Sequence, residues 1–155
     1  VAVGGDTHHF VRLLTAVKHL KQKKKIKDDV VIQYGHSEFR CDDCKCFDFI
    51  DAEAFEKLIR KTDVIISHAG AGTILTALKY GKPVVVVPRQ KKFKEHVDDH
   101  QLQLTKELAK QKKIIPVYRI NGLEEAIAIA KKFRPILTAN AREEIVELIG
   151  KFCER

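Results

Sequence analysis

The chain has 155 residues, 45% of them hydrophobic and 32% charged, and 29 Lys and Arg against 21 Asp and Glu give a net charge of +8. That is one ordinary domain, residues 1–155, long enough to bury a core but without an apolar run that could span a membrane. The opening Val-Ala-Val-Gly-Gly reads as a strand under way and not as a secretory signal. The excess of cations suits an anionic partner, or else the solvated helix faces of a heat-adapted protein.

Val1–Val3 reads as the end of a strand, followed by the loop Gly4-Gly5-Asp6-Thr7-His8-His9. Phe10, Leu13, Leu14 and Val17 recur at helical spacing, and the helix runs out in the cations of Lys21-Gln22-Lys23-Lys24-Lys25. Val30–Tyr34 is the next strand, Gly35–Lys45 a polar loop and Cys46–Phe49 a short strand. Cys41-x-x-Cys44-x-Cys46 suggests half a zinc site, with His36 as a further candidate ligand. No second C-x-x-C completes it, Cys153 is remote, and reduced thiols in a loop are the plainer reading. Phe55, Leu58 and Ile59 mark a second helix face.

The segment Asp63–Pro88 is a complete βαβ unit. Val64-Ile65-Ile66 is a buried strand, and Ile74, Leu75 and Leu78 lie on one side of a helix. Tyr80-Gly81-Lys82-Pro83 stops that helix, and Val84–Val87 is the next strand. Between the first strand and the helix lies His68-Ala69-Gly70-Ala71-Gly72-Thr73. A loop there offers unpaired N–H groups and the positive end of a helix dipole, so it suits a phosphate. Gly70 and Gly72 would equally serve a tight strand-to-helix turn. The loop is neither a Walker loop, for want of Lys-Ser/Thr, nor a full G-x-G-x-x-G, since position 75 is Leu.

After Pro88, Arg89–Val97 reads as a basic, mobile loop and Asp98–Lys110 as a helix with acids in its first turn. Asp98-Asp99-His100-Gln101 could grip vicinal hydroxyls or merely cap that helix. Ile114–Tyr118 is a sixth strand. Leu123, Ala126, Ile127 and Ala130 mark another helix, and Ile145, Leu148, Ile149 and Phe152 a last one. Strands alternating with helices predict an α/β fold, a doubly wound parallel sheet of about six strands. Ligands in such sheets sit beyond the carboxyl ends of the strands, here the loops Gly4–His9, Ser67–Thr73 and Arg89–Gln101.

In order and spacing, VAVGGDTHHF, HAGAGTILTALKYGKPVVVVPR and EHVDDHQLQLTKELA resemble the carboxyl-terminal half of glycosyltransferase family 28, the GT-B enzymes. The likeness is to single-domain subunits of split enzymes, namely exopolysaccharide β-1,4-glycosyltransferases and the catalytic subunit of the dolichol-linked N-acetylglucosaminyltransferase pair. The resemblance implies a Rossmann-like domain that binds a UDP-sugar. His68, Gly70, Ala71, Gly72 and Thr73 would meet the diphosphate, and Asp99, His100 and Gln101 the donor sugar. The backbone at Phe49 and Ile50 would meet the uracil, while Gly4, Gly5 and Thr7 line the cleft. Gly5-Asp6 stands before Thr7 where relatives open with Val-Gly-Thr, which leaves the choice between His8 and His9 open.

The implied reaction inverts the anomeric centre and uses neither metal nor cofactor, because helix N–H groups can neutralise the departing UDP. An acceptor hydroxyl needs a general base, for which His8 and His9, and also His96, are candidates. A chain of this length has no room for a second Rossmann-like half. The expectation is therefore a membrane-attached partner subunit that presents a lipid-linked glycan acceptor, with this chain cytoplasmic and peripheral to the membrane. The last helix, or Phe93 among Lys91, Lys92 and Lys94, are candidate contacts.

Other classes fit less well. A non-catalytic nucleotide-sugar-binding or regulatory module would bind UDP without transfer. A dinucleotide oxidoreductase lacks its fingerprint in the first loop, and the second strand ends in Gln33-Tyr34-Gly35, with no acid for a ribose hydroxyl. Nucleic acid is not an expected partner, since the aromatic residues are not interleaved with the lysines on one sheet.

Overall fold

The computed structural model describes residues 1–137 and 140–153. Five short strands form: β1 (Val31–Gln33), β2 (Lys45–Phe47), β3 (Ile65–Ser67), β4 (Val84–Val86) and β5 (Ile115–Pro116). The helices are α1 (Val11–Gln22), α2 (Ala52–Lys61), α3 (Ala71–Lys79), α4 (His100–Lys110), α5 (Leu123–Ala130) and α6 (Ala141–Cys153). Phe152, expected on the face of the last helix, lies outside the described side chains.

All strand pairs are parallel. β1 pairs with β2, β4 lies between β3 and β5, and Ala2 bridges Gln33 of β1 to Ser67 of β3. The order across the sheet is therefore β2, β1, Ala2, β3, β4, β5. This is the doubly wound arrangement, in which the chain works outward in one direction and then reverses.

The count of about six strands is corrected to five among the described residues. Val1–Val3 is hydrogen-bonded on both sides, Ala2 N–H donating to Ile66 O (2.8 Å) and Val3 N–H to Gln33 O (3.3 Å). Gly4, with φ +76°, then turns the chain out of the sheet, so pairing stops at a single bridging residue.

Strand alternation separates two cores. Ile66, Val85, Val87 and Ile115 face α1 and α5, packing with Phe10, Leu13, Leu14, Val17, Leu123 and Ile127. Ile65, Val84, Val86 and Ile114 face the other way, among Ile74, Leu78, Leu104, Leu108 and Ile145 from α3, α4 and α6. A central strand buried on both faces reads as an unbroken apolar run, which is why Val84–Val87 carries no polar residue.

The helix boundaries follow local chemistry. Asp51 caps α2 by accepting the Ala54 N–H at 2.8 Å. At the end of α3, Gly81 (φ +62°) donates to Leu78 O and Lys82 to Ala77 O, closing the helix with a left-handed glycine. α4 begins at His100, two residues later than the acids suggested, because Asp98 uses its side chain to accept the His100 N–H at 2.9 Å.

Candidate functional site: a cleft at the switch in strand order

The strand order reverses between Ala2 and β3, so the loops that follow them flank a crevice. On the β3 side, Gly70 is the N-cap of α3 in extended conformation. No side chain caps this helix and its first turn holds no acid, unlike α2. The first N–H groups of any helix lack intrahelical acceptors, and here the dipole's positive end is uncompensated by protein. Gly72 is exposed, and a Cβ there would meet nothing within 4 Å. Thr73 is buried and Ala71 half-buried.

His68 lies beneath this turn, only 8% exposed, with Nδ1 at 3.4 Å from both Ala2 O and Ser67 Oγ. Its ring occupies the space where a Cβ on Gly4 or Gly70 would project. Gly70 is therefore required by an imidazole packed against its own backbone, a reason the loop composition did not reveal. Burial, and after it the nearby Arg89 charge, push the His68 pKa down to about 4, so the ring is neutral at physiological pH.

On the other side, the loop after Ala2 folds on itself through Asp6. One carboxylate oxygen accepts the main-chain N–H of His8 (2.8 Å) and meets His8 Nδ1 at 2.7 Å. The other oxygen faces His96 Nε2 at 3.6 Å. His96 Nδ1 lies 3.0 Å from Asp98 Oδ1, and Asp98 Oδ2 lies 3.1 Å from His100 Nδ1. Burial disfavours the charged form of Asp6, but the hydrogen bonds from His8 and the charge of Arg89 outweigh it, holding the carboxyl below its usual range. Asp98 is lowered likewise, with burial opposed by the His100 N–H and by the two imidazoles. His9, by contrast, is exposed.

Sequence reasoning missed Arg89. Within the loop after Pro88, Arg89, Gln90 and Glu95 are buried, although Lys91, Lys92, Phe93, Lys94 and Val97 are exposed. Arg89 Nη1 donates to His8 O (2.8 Å) and Glu95 O (3.2 Å), Nη2 donates to Val3 O (2.9 Å), and the guanidinium lies 4.7 Å from the Phe10 ring centroid. Glu95 is held by Arg12 through two bonds, at 2.7 and 2.8 Å, and accepts the Gln90 N–H at 3.1 Å. One buried arginine thus ties the loop after Ala2 to the loop after β4. Its position directly after a strand-ending proline was the one available signal.

The remaining expected residues divide. Gln101 reaches the same network, its Oε1 accepting the Arg89 N–H at 3.1 Å, which leaves its NH2 group free to donate elsewhere. Asp99 is exposed and accepts the Lys91 N–H at 3.0 Å. Phe49 and Ile50 are 45% and 39% exposed, and Phe49 borders the first loop, 4.0 Å from where a Cβ on Gly5 would sit. His36 packs edge-on against Phe49, with ring centroids 5.0 Å apart. Cys41 and Cys44 are free thiols 2.8 Å apart at sulfur. Among the described residues no group of three or more His, Cys, Asp and Glu is placed to hold a metal ion. A groove of about 510 Å³, lined by Thr7, His8, His9, Arg12 and Phe93, opens beside the cleft. A cavity of about 870 Å³ lies elsewhere, along residues such as Val30, Val64, Pro83 and Lys131, away from the loops described.

Comparison with known proteins places this geometry among relatives. The family model described as "Glycosyltransferase family 28 C-terminal domain" matches residues 1–149. The UDP-N-acetylglucosamine transferase subunit ALG13 of Debaryomyces hansenii is 27% identical over 129 residues, 79% of this chain and 60% of that protein. The protein of that name from Homo sapiens is 44% identical over 59 residues, 38% of this chain and 5% of its own length. The Cryptococcus neoformans protein is 40% identical over 75 residues, 47% of this chain and 35% of its own. The chain therefore spans less than two thirds of the length of these relatives. Among solved structures, Acinetobacter baumannii MurG superposes with a TM-score of 0.57 at 20% identity, covering 97% of this chain and 49% of that one. The solution structure of ALG13 gives a TM-score of 0.50 at 22% identity, covering 71% and 55%. These two likenesses establish the fold. Among the described residues no helix is long and apolar enough to cross a membrane.

Proposed function

We propose, from the premise that the chain belongs to the glycosyltransferase family 28 C-terminal domains, that it is the UDP-sugar-binding and catalytic part of an inverting hexosyltransferase. The observation that carries this reading is the uncapped amino end of α3, open at Gly72, beside the reversal in strand order. The N–H groups of Ala71, Gly72 and Thr73 would bind the diphosphate. His68, neutral and buried, shapes that turn from below and adds no charge. Asp99, His100 and the free NH2 of Gln101 would take the donor-sugar hydroxyls, and the exposed segment at Phe49 and Ile50 the uracil.

In the reaction, an acceptor hydroxyl attacks the anomeric carbon as the bond from that carbon to the β-phosphate oxygen breaks. The electron pair leaves on UDP, whose growing charge the α3 dipole stabilises without a metal. The hydroxyl proton passes to Nε2 of His8, which Asp6 holds at the other ring nitrogen. His8 is preferred to His9 because only His8 is fixed by a carboxylate.

Apolar residues around the cleft, Val11, Phe49, Ile50, Phe93 and Val97, are all exposed. They suit burial against a second, membrane-attached subunit bearing a lipid-linked glycan acceptor, at the cytoplasmic face. The relatives' description as transferase subunits supports the existence of a partner subunit.

Saturation-transfer NMR with a panel of UDP-sugars, beside NADH as a competitor class, tests the reading. UDP-sugar binding in the micromolar to millimolar range is expected, with no NADH signal. Binding of NADH alone would overturn it. A domain that binds UDP-sugar yet supports no transfer with its partner would be a regulatory module.

A further inference from the structure

We propose that Asp6 is the positioning residue that fixes the tautomer and orientation of His8, and that His96 secures Asp6 from the opposite loop. The inference rests on His8 as the acceptor-activating base, but its evidence is the geometry of three side chains.

A single Asp6 oxygen takes both the main-chain N–H and the ring Nδ1 of His8, at 2.8 and 2.7 Å. This closes a small ring that leaves the imidazole little rotational freedom. A histidine that donates Nδ1–H to a carboxylate keeps its lone pair on Nε2, the form that accepts a proton. The His8 side chain is 39% exposed and lines the groove of about 510 Å³ with Thr7, Arg12 and Phe93. The ring is thus gripped on one edge and accessible on the other.

Asp6 also faces the opposite loop. Its second oxygen faces His96 Nε2 at 3.6 Å, and His96 Nδ1 is 3.0 Å from Asp98 Oδ1. Asp6 and His96 are only 25% and 21% exposed, so this is not a solvated surface pair. Of the other groups near the array, His68, which interacts with Asp6 and His96, is neutral. Arg89 lies near Asp6 and is bonded to three carbonyls, Glu95 is taken by Arg12, and His100 is paired with Asp98. Two imidazoles therefore face one carboxylate across the cleft, His8 within hydrogen-bond distance and His96 at 3.6 Å, and of the two only His8 lines the groove.

The bland alternative is that Asp6 simply closes a local turn. The two roles separate by experiment. Long-range 1H–15N correlation spectra of the 15N-labelled chain above pH 8 report which nitrogen of each histidine carries the proton. His8 should appear in the Nδ1–H form in the native protein, and in Asp6→Ala should revert toward the Nε2–H form. His96→Gln should leave the His8 tautomer shifted in the same direction but less far. In the assembled transferase, Asp6→Ala should lower kcat by about 100-fold, the scale of general-base catalysis, with KM for the UDP-sugar changed less than threefold. Asp6→Glu should recover part of the loss.

A native His8 in the Nε2–H form, or a tautomer unchanged in Asp6→Ala, overturns the proposal. So does an equal loss of donor affinity and turnover. The native tautomer is read without any variant, so a poorly folding mutant leaves the question decidable. Absence of UDP binding to the native chain would instead sink the donor-site reading while leaving the tautomer result intact.

Discussion

The ring of His68 fills the volume that a side chain on Gly70 would need, although the two residues are separated by a single alanine. Gly70→Ala should therefore overpack the turn, at a cost of about 1–3 kcal/mol, or a fall in Tm of roughly 2–12 °C for a protein of this size. Thermal unfolding by circular dichroism checks this, and an unchanged Tm would show that the ring moves aside freely.

Gly72 gives the opposite case. A side chain there has open space, and a carboxylate in the first turn of a helix is favourable to the dipole. Gly72→Asp should stay folded with stability changed by less than about 1 kcal/mol. Its carboxylate would nevertheless stand where the diphosphate is proposed to bind, so UDP affinity should fall at least tenfold by calorimetry. Full affinity in a folded Gly72→Asp protein would mean that the nucleotide binds elsewhere.

The depressed His68 pKa has a pH signature. In the unfolded chain the imidazole titrates near 6.5, in the folded protein near 4. Between these values the unfolded state binds a proton that the folded state refuses, so stability rises with pH and is lost as pH falls from 6.5 toward 4. The loss is on the order of 3 kcal/mol. Asp6 and Asp98, lowered from 3.8, add stability present above that value and lost below it, a separate window. Urea midpoints at pH 4.5 and 7.5 should differ in the native protein and converge in His68→Gln.

Arg89→Met should be among the most damaging single changes. It strips donors from the main-chain carbonyls of Val3, His8 and Glu95, while the Glu95 carboxylate keeps its bonds from Arg12 and the Gln90 N–H. Leaving a buried polar group unpaired costs about 1–3 kcal/mol, and three carbonyls lose their donor here. Denaturant titration measures it, and a loss under 1 kcal/mol would show that the guanidinium is not what joins the loops.

Gln101→Ala should weaken UDP-sugar binding by about tenfold more than UDP binding, since only the sugar would use the free NH2 group. A loss of roughly 1 kcal/mol in stability should accompany it, because the Arg89 N–H loses its acceptor. Equal losses for both ligands would remove Gln101 from the sugar site.

The central strands were readable beforehand from β-branched runs, as in Ile65-Ile66 and Val84–Val87, whereas the strand expected at Cys46–Phe49 pairs over Lys45–Phe47. The extent of Val1–Val3 was not readable, because its length as a strand depends on how Gly4 turns between two neighbours that are remote in sequence. The glycines at the start of α3 were equally visible, whereas Asp6, two residues from His8, was read only as part of an insertion before Thr7. What joins the loops was hidden. Arg89 looks like any cation in a Lys-rich stretch, and nothing in the order of residues says that it is the one folded inward. His96 is 90 residues from Asp6, and only the return of β4 to the centre of the sheet brings them together.

Because Arg89, Arg12 and Glu95 fasten the walls of the crevice to each other, few torsions would remain to be frozen if the proposed nucleotide docked there. An incoming donor then forfeits little to ordering the receptor, and the association constant should respond weakly to anything that merely stiffens the surrounding chain.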